Sequence, residues 1–294
     1  LYLRPITGDN YFWIASRKHE LGMHASKPRI ILVGGSGVAL GINSNLLASE
    51  FPAYQPVNLG CHALFGLNYF LWEASSVAQK GDIVILIPEY DFFTRSFIGP
   101  QLLTLITWFY PEAIRCLTWP DIKSLSDKSL YFLGDCVQPV ILRFFGEIVT
   151  PELPYRSTAM NEYGDIAAHW DMPSPSIEKM GKRFVFNNAY VRSQIDLINR
   201  FIDNMHQDDV RVFIAFPAFP TPLYEKNAES LNDLYIQCKS LHAPLLNTPK
   251  DAAMPNGMFY DTYYHLSGVG ASRRTKMLIR SLSPRISGHT ESCP

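Results

Sequence analysis

Three residues far apart in the chain, Ser36, Asp261 and His265, have the types needed for nucleophilic acyl chemistry. Ser36 lies in Arg29-Ile-Ile-Leu-Val-Gly-Gly-Ser-Gly-Val-Ala-Leu-Gly41, an apolar run that enters a glycine-rich turn. A serine at the carboxyl end of a strand, with small neighbours and a helix after it, can be presented as a nucleophile, and the helix amides then stabilise negative charge. It needs a histidine to take its proton and an acid to orient that histidine. Phe259-Tyr-Asp-Thr-Tyr-Tyr-His-Leu-Ser267 supplies both, as Asp261 and His265, on a loop ahead of a helical pattern.

The same residues have competing readings. A dinucleotide-binding loop needs G-x-G-x-x-G after a strand and an acid at the end of the second strand. Gly35 and Gly37 fit, but Leu40 takes the third glycine position and Val57-Asn-Leu-Gly60 carries no acid. Ser36 alone reads as a helix N-cap, and His265 with Asp261 as a structural pair. Cys61-His62 offers a thiol, although sequence neighbours often point apart and a buried cysteine is usually inert. Glu89 and Tyr90 end a strand and are pocket candidates, or caps on the segment that follows. Five cysteines without a C-x-x-C or ligand spacing give no support to a metal site. Cys116 and Cys136 lie in the same middle region and can be read either as a pair in an oxidising compartment or as free buried thiols. No cofactor is expected.

The 294 residues, 47% hydrophobic and 18% charged, have an ordinary globular composition and length for a large core. A net charge of -1 gives no general attraction to phosphate backbones, which argues against nucleic-acid binding. The chain starts at Leu1, so removal of an upstream signal or membrane anchor is an expectation. No internal apolar run approaches the roughly 18 residues of a spanning helix.

The elements that must position these residues alternate. Apolar strand-like runs occupy Arg29 to Val33, Gln55 to Leu59, Asp82 to Pro88 and Val210 to Phe216, with a weaker fifth at Ala243 to Leu246. Helical spacing links Leu64, Leu67, Leu71, Ala74 and Val77, with Gly81 as the expected stop. It recurs at Ile195, Ile198, Ile202 and Met205, at Leu231, Leu234 and Cys238, and from Ser267, a plausible N-cap, to Leu282. This rhythm predicts an α/β protein with a parallel sheet covered on both faces. Residues 94–182 break it and read as a largely helical insertion at one end of the sheet, within a single domain covering 1–294. In a doubly wound sheet, Ser36 and the loop of Asp261 and His265 share the carboxyl edge.

Gly-Gly-Ser36, Val57-Asn-Leu-Gly60 and Asp261...His265 resemble blocks I, II and V of the SGNH/GDSL hydrolases. The chain is most similar to an extracytoplasmic branch that includes the D-alanyl transfer protein of teichoic acid modification and the alginate O-acetylation proteins. Leu86-Ile-Pro-Glu-Tyr90 stands where that branch has a strand and Pro-containing turn. The match covers about 29 to 93 and 183 to 283. It implies a three-layer, flavodoxin-like doubly wound sheet and a Ser36-His265-Asp261 triad. It also implies a serine esterase or O-acyltransferase acting on an acyl ester, with cell-envelope or exopolysaccharide acyl groups as substrates. The oxyanion donors would be the backbone amides of Ser36 and of Gly60 or Ala63. A polysaccharide or acyl-ester substrate, a membrane-bound acyl-transfer partner and an extracytoplasmic location follow from the same resemblance. The sequence departs from the family pattern: Gly35 replaces the Asp of Gly-Asp-Ser, the Gly-x-Asn-Asp of block III is absent, and Asp261 and His265 stand four apart instead of three. A non-catalytic binding or assembly module of a cell-envelope modification system is the alternative that these departures favour.

Overall fold

The computed structural model describes residues 10–126, 153–174 and 181–287. Strands β1 (Arg29–Gly34), β2 (Gln55–Asn58), β3 (Ile83–Ile87) and β4 (Arg211–Ile214) form a parallel sheet in the order β2-β1-β3-β4. Leu32 stands opposite Asn58 on one side and Ile85 on the other. Strand side chains alternate between faces: Ile31, Val33, Val84, Leu86, Val212 and Ile214 enter one core, and Ile30, Leu32, Ile83, Ile85 and Phe213 the other. With both faces buried, the strands read as continuous apolar runs.

Helices α1 (Trp13–Met23), α2 (Ser36–Ala39), α3 (Ser44–Glu50), α4 (Leu67–Val77), α5 (Pro100–Thr104) and α6 (Trp119–Ser126) precede α7 (Asn188–Gln207), α8 (Thr221–Lys226), α9 (Ala228–Cys238) and α10 (Gly268–Ser287). The apolar stripes of α1, α4, α7 and α9 cover the first face, while α3 and α10 supply Leu47, Leu278 and Leu282 to the second. The chain is thus an α/β protein with a parallel sheet between two helical layers. Asn187 caps α7 by accepting from the Ala189 and Tyr190 N–H groups at 3.0 and 3.1 Å, and Ser267 Oγ accepts from Gly270 N–H at 3.3 Å at the start of α10. Among the described residues no helix is long and apolar enough to cross a membrane.

Several boundaries differ from expectation. Ala243 to Leu246 is not a fifth strand. It makes one parallel bridge, Leu245 to Ile214, with Ile214 N–H donating to Pro244 O at 3.0 Å and Leu246 N–H to Ile214 O at 2.8 Å. Pro244 has no N–H, so the ladder cannot extend through it. Helix α4 starts at Leu67 because Gly66, at φ 83, separates it from a short turn over Ala63–Phe65. Gly81 does not stop that helix, which ends at Val77; with φ 89 it forms the turn into β3. Within the insertion, α5 and α6 are helical, but 153–174 is mostly turns laid over the ends of β1 and β2. There Asn58 N–H donates to Tyr163 O and Ile166 N–H to Ala39 O, both at 2.8 Å. Cys116 is a buried free thiol, and its suggested partner Cys136 lies outside the described residues.

At the opposite, amino edge of the sheet, Arg29 and Asp82 form a buried ion pair at 2.5 Å. Asp82 also accepts the Arg29 N–H at 2.7 Å and the Gln79 N–H at 2.8 Å, which ties the start of β1 to that of β3.

Candidate active site

The apolar β1 ends in a tight turn whose N-cap is Gly35, and Ser36 is the first residue of α2 with no side-chain capping bond. The N-cap reading of Ser36 is therefore not what the turn contains. Neither the Ser36 nor the Ala63 N–H meets an acceptor among the described residues. Gly60, the other candidate oxyanion donor, gives its N–H to Asn58 Oδ1 at 2.9 Å. The Asn58 amide nitrogen in turn donates to Val38 O at 3.0 Å and to Asp165 Oδ1 at 2.8 Å, and Asp165 accepts from the Ser44 N–H and hydroxyl at 2.7 Å each. This buried network fixes the ends of β1 and β2 relative to each other, so the two unoccupied amides stand on rigid supports.

Asp261 and His265 occupy a compact loop closed by an antiparallel bridge between Phe259 and Leu266. Thr262 Oγ1 accepts the Tyr264 and His265 N–H groups at 3.3 and 3.1 Å. This folds the four-residue spacing back on itself, and His265 Nδ1 meets Asp261 Oδ1 at 2.7 Å. Burial acts to raise the Asp261 carboxyl, but the bonds from His265 and Tyr155 outweigh it and the net shift is downward. The loop is held in place by Tyr264, whose hydroxyl donates to Asp91 Oδ2 at 3.1 Å and accepts the Tyr90 N–H at 3.1 Å. It abuts the Ser36 turn: a Cβ built on Gly37 would lie 3.4 Å from Tyr264 Cβ. No hydrogen bond joins Ser36 to His265, and His265 Nε2 has no partner among the described residues.

Of the two pocket candidates, Glu89 reaches the turn and Tyr90 does not face it. Glu89 Oε1 accepts the Gly37 N–H at 2.9 Å. Tyr90 is fully buried, with its ring 5.5 Å from Phe184 and 5.4 Å from Phe219. Burial pushes the Cys61 thiol up to about 11, which removes it as a nucleophile near neutrality.

Two neighbours escaped the sequence reading as site residues. Tyr155, from the insertion, donates its hydroxyl to Asp261 and stands 3.3 Å from His265 Nδ1. His62 accepts the Leu64 N–H on Nδ1 at 3.2 Å, and burial, with His265 nearby, lowers its pKa to about 4, leaving it neutral. His62 sits next to Ala63 and was open to notice there; Tyr155 lies in a stretch without periodicity or motif. Among the described residues no group of three His, Cys, Asp or Glu side chains is placed to hold a metal ion.

No family model and no curated protein matches the chain. A solved structure described as "a putative platelet activating factor from Streptococcus pneumonia" superposes over 92% of this chain and 90% of its own, with a TM-score of 0.44 and 10% identity. A likeness at that level carries no argument about chemistry, which rests on the geometry of the site.

Proposed function

We propose that this protein is a serine-dependent esterase or O-acyltransferase, with Ser36 as nucleophile, His265 as base and Asp261 as the acid that orients it. The observation that carries this reading is the placement, at one sheet edge, of an oriented His265–Asp261 pair against a serine turn flanked by two unoccupied amides. In the reaction, His265 Nε2 takes the Ser36 proton as Oγ bonds to the ester carbonyl carbon. The charge on the carbonyl oxygen falls to the Ser36 and Ala63 amides, each such donor contributing about 3 kcal/mol to transition-state stabilisation. Collapse expels the alcohol, which takes the proton from His265, and leaves an acyl-serine. Water or a sugar hydroxyl then accepts the acyl group by the reverse proton path. Asp261, held low, stays ionised and stabilises the imidazolium.

Catalytic hydrogen bonds often tighten only with substrate, so the Ser36–His265 bond is expected to form in the substrate complex. Cell-envelope or exopolysaccharide acyl groups as substrate, a membrane-bound acyl donor and an extracytoplasmic location belong to the same reading and rest on the block I, II and V resemblance. A fluorophosphonate probe tests the chemistry. Wild type should label, and Ser36→Ala and His265→Ala should lose labelling by about a thousandfold or more while staying folded. A folded wild type that does not label would favour the non-catalytic binding module, for which the hold of Glu89 on the serine turn is the supporting observation.

A further inference from the structure

Glu89 follows β3 through Pro88 and turns back beneath the serine turn, where it is 2% exposed. Glu89 Oε1 accepts the Gly37 N–H at 2.9 Å on one side of Ser36 and packs against Gly35 on the other, so the carboxyl lies under the serine and within electrostatic reach of its hydroxyl. A Cβ placed on Gly35 would lie 2.4 Å from that Oε1 and 3.0 Å from Ala63 Cβ. The carboxyl therefore fills the space that a side chain at residue 35 would take, and a larger residue there would have to displace it. Lys182, the nearby cation, is paired with Asp91 instead.

We propose that Glu89 is the positioning residue of Ser36: its ionised carboxylate holds the hydroxyl proton of Ser36, and its neutral acid releases that proton to His265. The inference rests on Ser36 being the nucleophile. A serine hydroxyl has one O–H to give, and a carboxylate can only accept. Ionised Glu89 therefore takes the single donor of Ser36, and His265 receives none. Neutral Glu89 brings its own O–H, which it donates to Ser36 Oγ while Oε1 keeps the Gly37 N–H, so the serine proton is free to face His265. A carboxylate charge beside the two unoccupied amides also opposes the oxyanion they would bind. Both effects favour reaction with Glu89 neutral.

The titration falls in a useful range. Burial pushes the Glu89 carboxyl up to about 7, with the Gly37 N–H, Lys182 and the Ser36 hydroxyl pulling down and Asp91 pushing up. The other ionisable groups facing it are Tyr11, Tyr263 and Tyr264. Burial raises all three tyrosines above their ordinary value. Burial pulls Lys182 down, but its bonds to Asp91 and Tyr263 give a net rise. The three tyrosines therefore stay neutral and Lys182 charged near pH 7.

The test is the rate of fluorophosphonate labelling of wild type and Glu89→Gln between pH 5.5 and 9. Glutamine keeps an oxygen for Gly37 and offers an N–H to Ser36 at every pH, as the neutral acid does. The ratio of Glu89→Gln to wild-type rate is expected to rise about tenfold from pH 6 to pH 8, following a group near 7. His265 is present in both proteins and cancels. A ratio that stays flat overturns the role of Glu89 while leaving the serine reading in place; an unlabelled wild type overturns both. A carbon-13 NMR titration of the Glu89 carboxyl in wild type and Ser36→Ala covers the case in which Glu89→Gln does not fold. Its midpoint should rise when the hydroxyl is removed, since a donor to the charged form is lost, and an unchanged midpoint overturns the proposal.

Discussion

Strand β3 carries a buried carboxyl near each end, Asp82 just before Ile83 and Glu89 two residues after Ile87, and the two have opposite surroundings. Asp82 meets the Arg29 guanidinium and two backbone N–H groups. Glu89 meets the Gly37 N–H, and its nearby cation is paired with Asp91. Equal burial thus gives a charge that is compensated at the amino edge and one that is not at the carboxyl edge. The unoccupied Ser36 and Ala63 amides lie at that same carboxyl edge, where open α/β sheets bind ligands. Among the described residues, the frame is closed at the amino edge, where Arg29 and Asp82 hold it, and leaves polar groups without partners at the serine turn.

The contrast can be broken most forcefully at Arg29. Arg29→Ala leaves the Asp82 charge buried without its partner and is expected to cost about 3–5 kcal/mol of stability in urea denaturation. Fluorophosphonate labelling per folded molecule should be retained, because the pair is at the far edge from Ser36. A cost below about 1 kcal/mol would show that Asp82 is no better compensated than Glu89.

At Glu89 the expected effect is smaller and depends on pH. Its folded-state value is raised, so its contribution to stability is intact below the ordinary glutamate range and is lost as pH rises through about 7. Between pH 4 and pH 8, wild type should lose roughly 3 kcal/mol relative to Glu89→Gln. Denaturation curves for both proteins at pH 4, 6 and 8 measure this. Parallel pH dependence would mean that Glu89 is as well compensated as Asp82.

What the sequence disclosed follows the same division. Strands β1 to β4 were legible as continuous apolar runs buried on both faces, and helices α4, α7, α9 and α10 by the spacing of one apolar face, and both patterns are local properties. Ser36, Asp261 and His265 were legible as types at spaced positions, and the structure brings Asp261 and His265 together directly. Their relation to Glu89 and Tyr155 was not legible. The Glu89–Gly37 bond spans 52 residues and the Tyr155–Asp261 bond 106, and no pattern in the chain encodes either. Gly35 shows the limit well. Where the Gly-Asp-Ser pattern has an Asp this chain has Gly35, and in space a carboxyl from the end of β3 occupies the room beside it. Ala243 to Leu246 failed as a strand for a local reason, Pro244, that the apolar pattern outweighed in reading.

The smallest effect is expected at Tyr155, and it sharpens the comparison from the side of the site. Asp261 is shared between two donors, the His265 ring on Oδ1 and the Tyr155 hydroxyl on Oδ2. The Tyr155 ring also packs edge-on to Tyr11, with centroids 6.1 Å apart, so part of its role is simple contact. Tyr155→Phe keeps that ring and removes only the hydroxyl. Asp261 is partly exposed, and water can replace the lost donor, so the loss should be about 1 kcal/mol or less in stability. Labelling of Ser36 should slow by up to about tenfold, because the carboxylate that orients His265 is less firmly held. Arg29→Ala and Tyr155→Phe then separate cleanly, one acting on stability and the other on the serine. If Tyr155→Phe costs several kcal/mol and leaves labelling untouched, the phenol belongs with Asp82 as part of the frame, and the boundary between holding and reacting runs closer to Ser36.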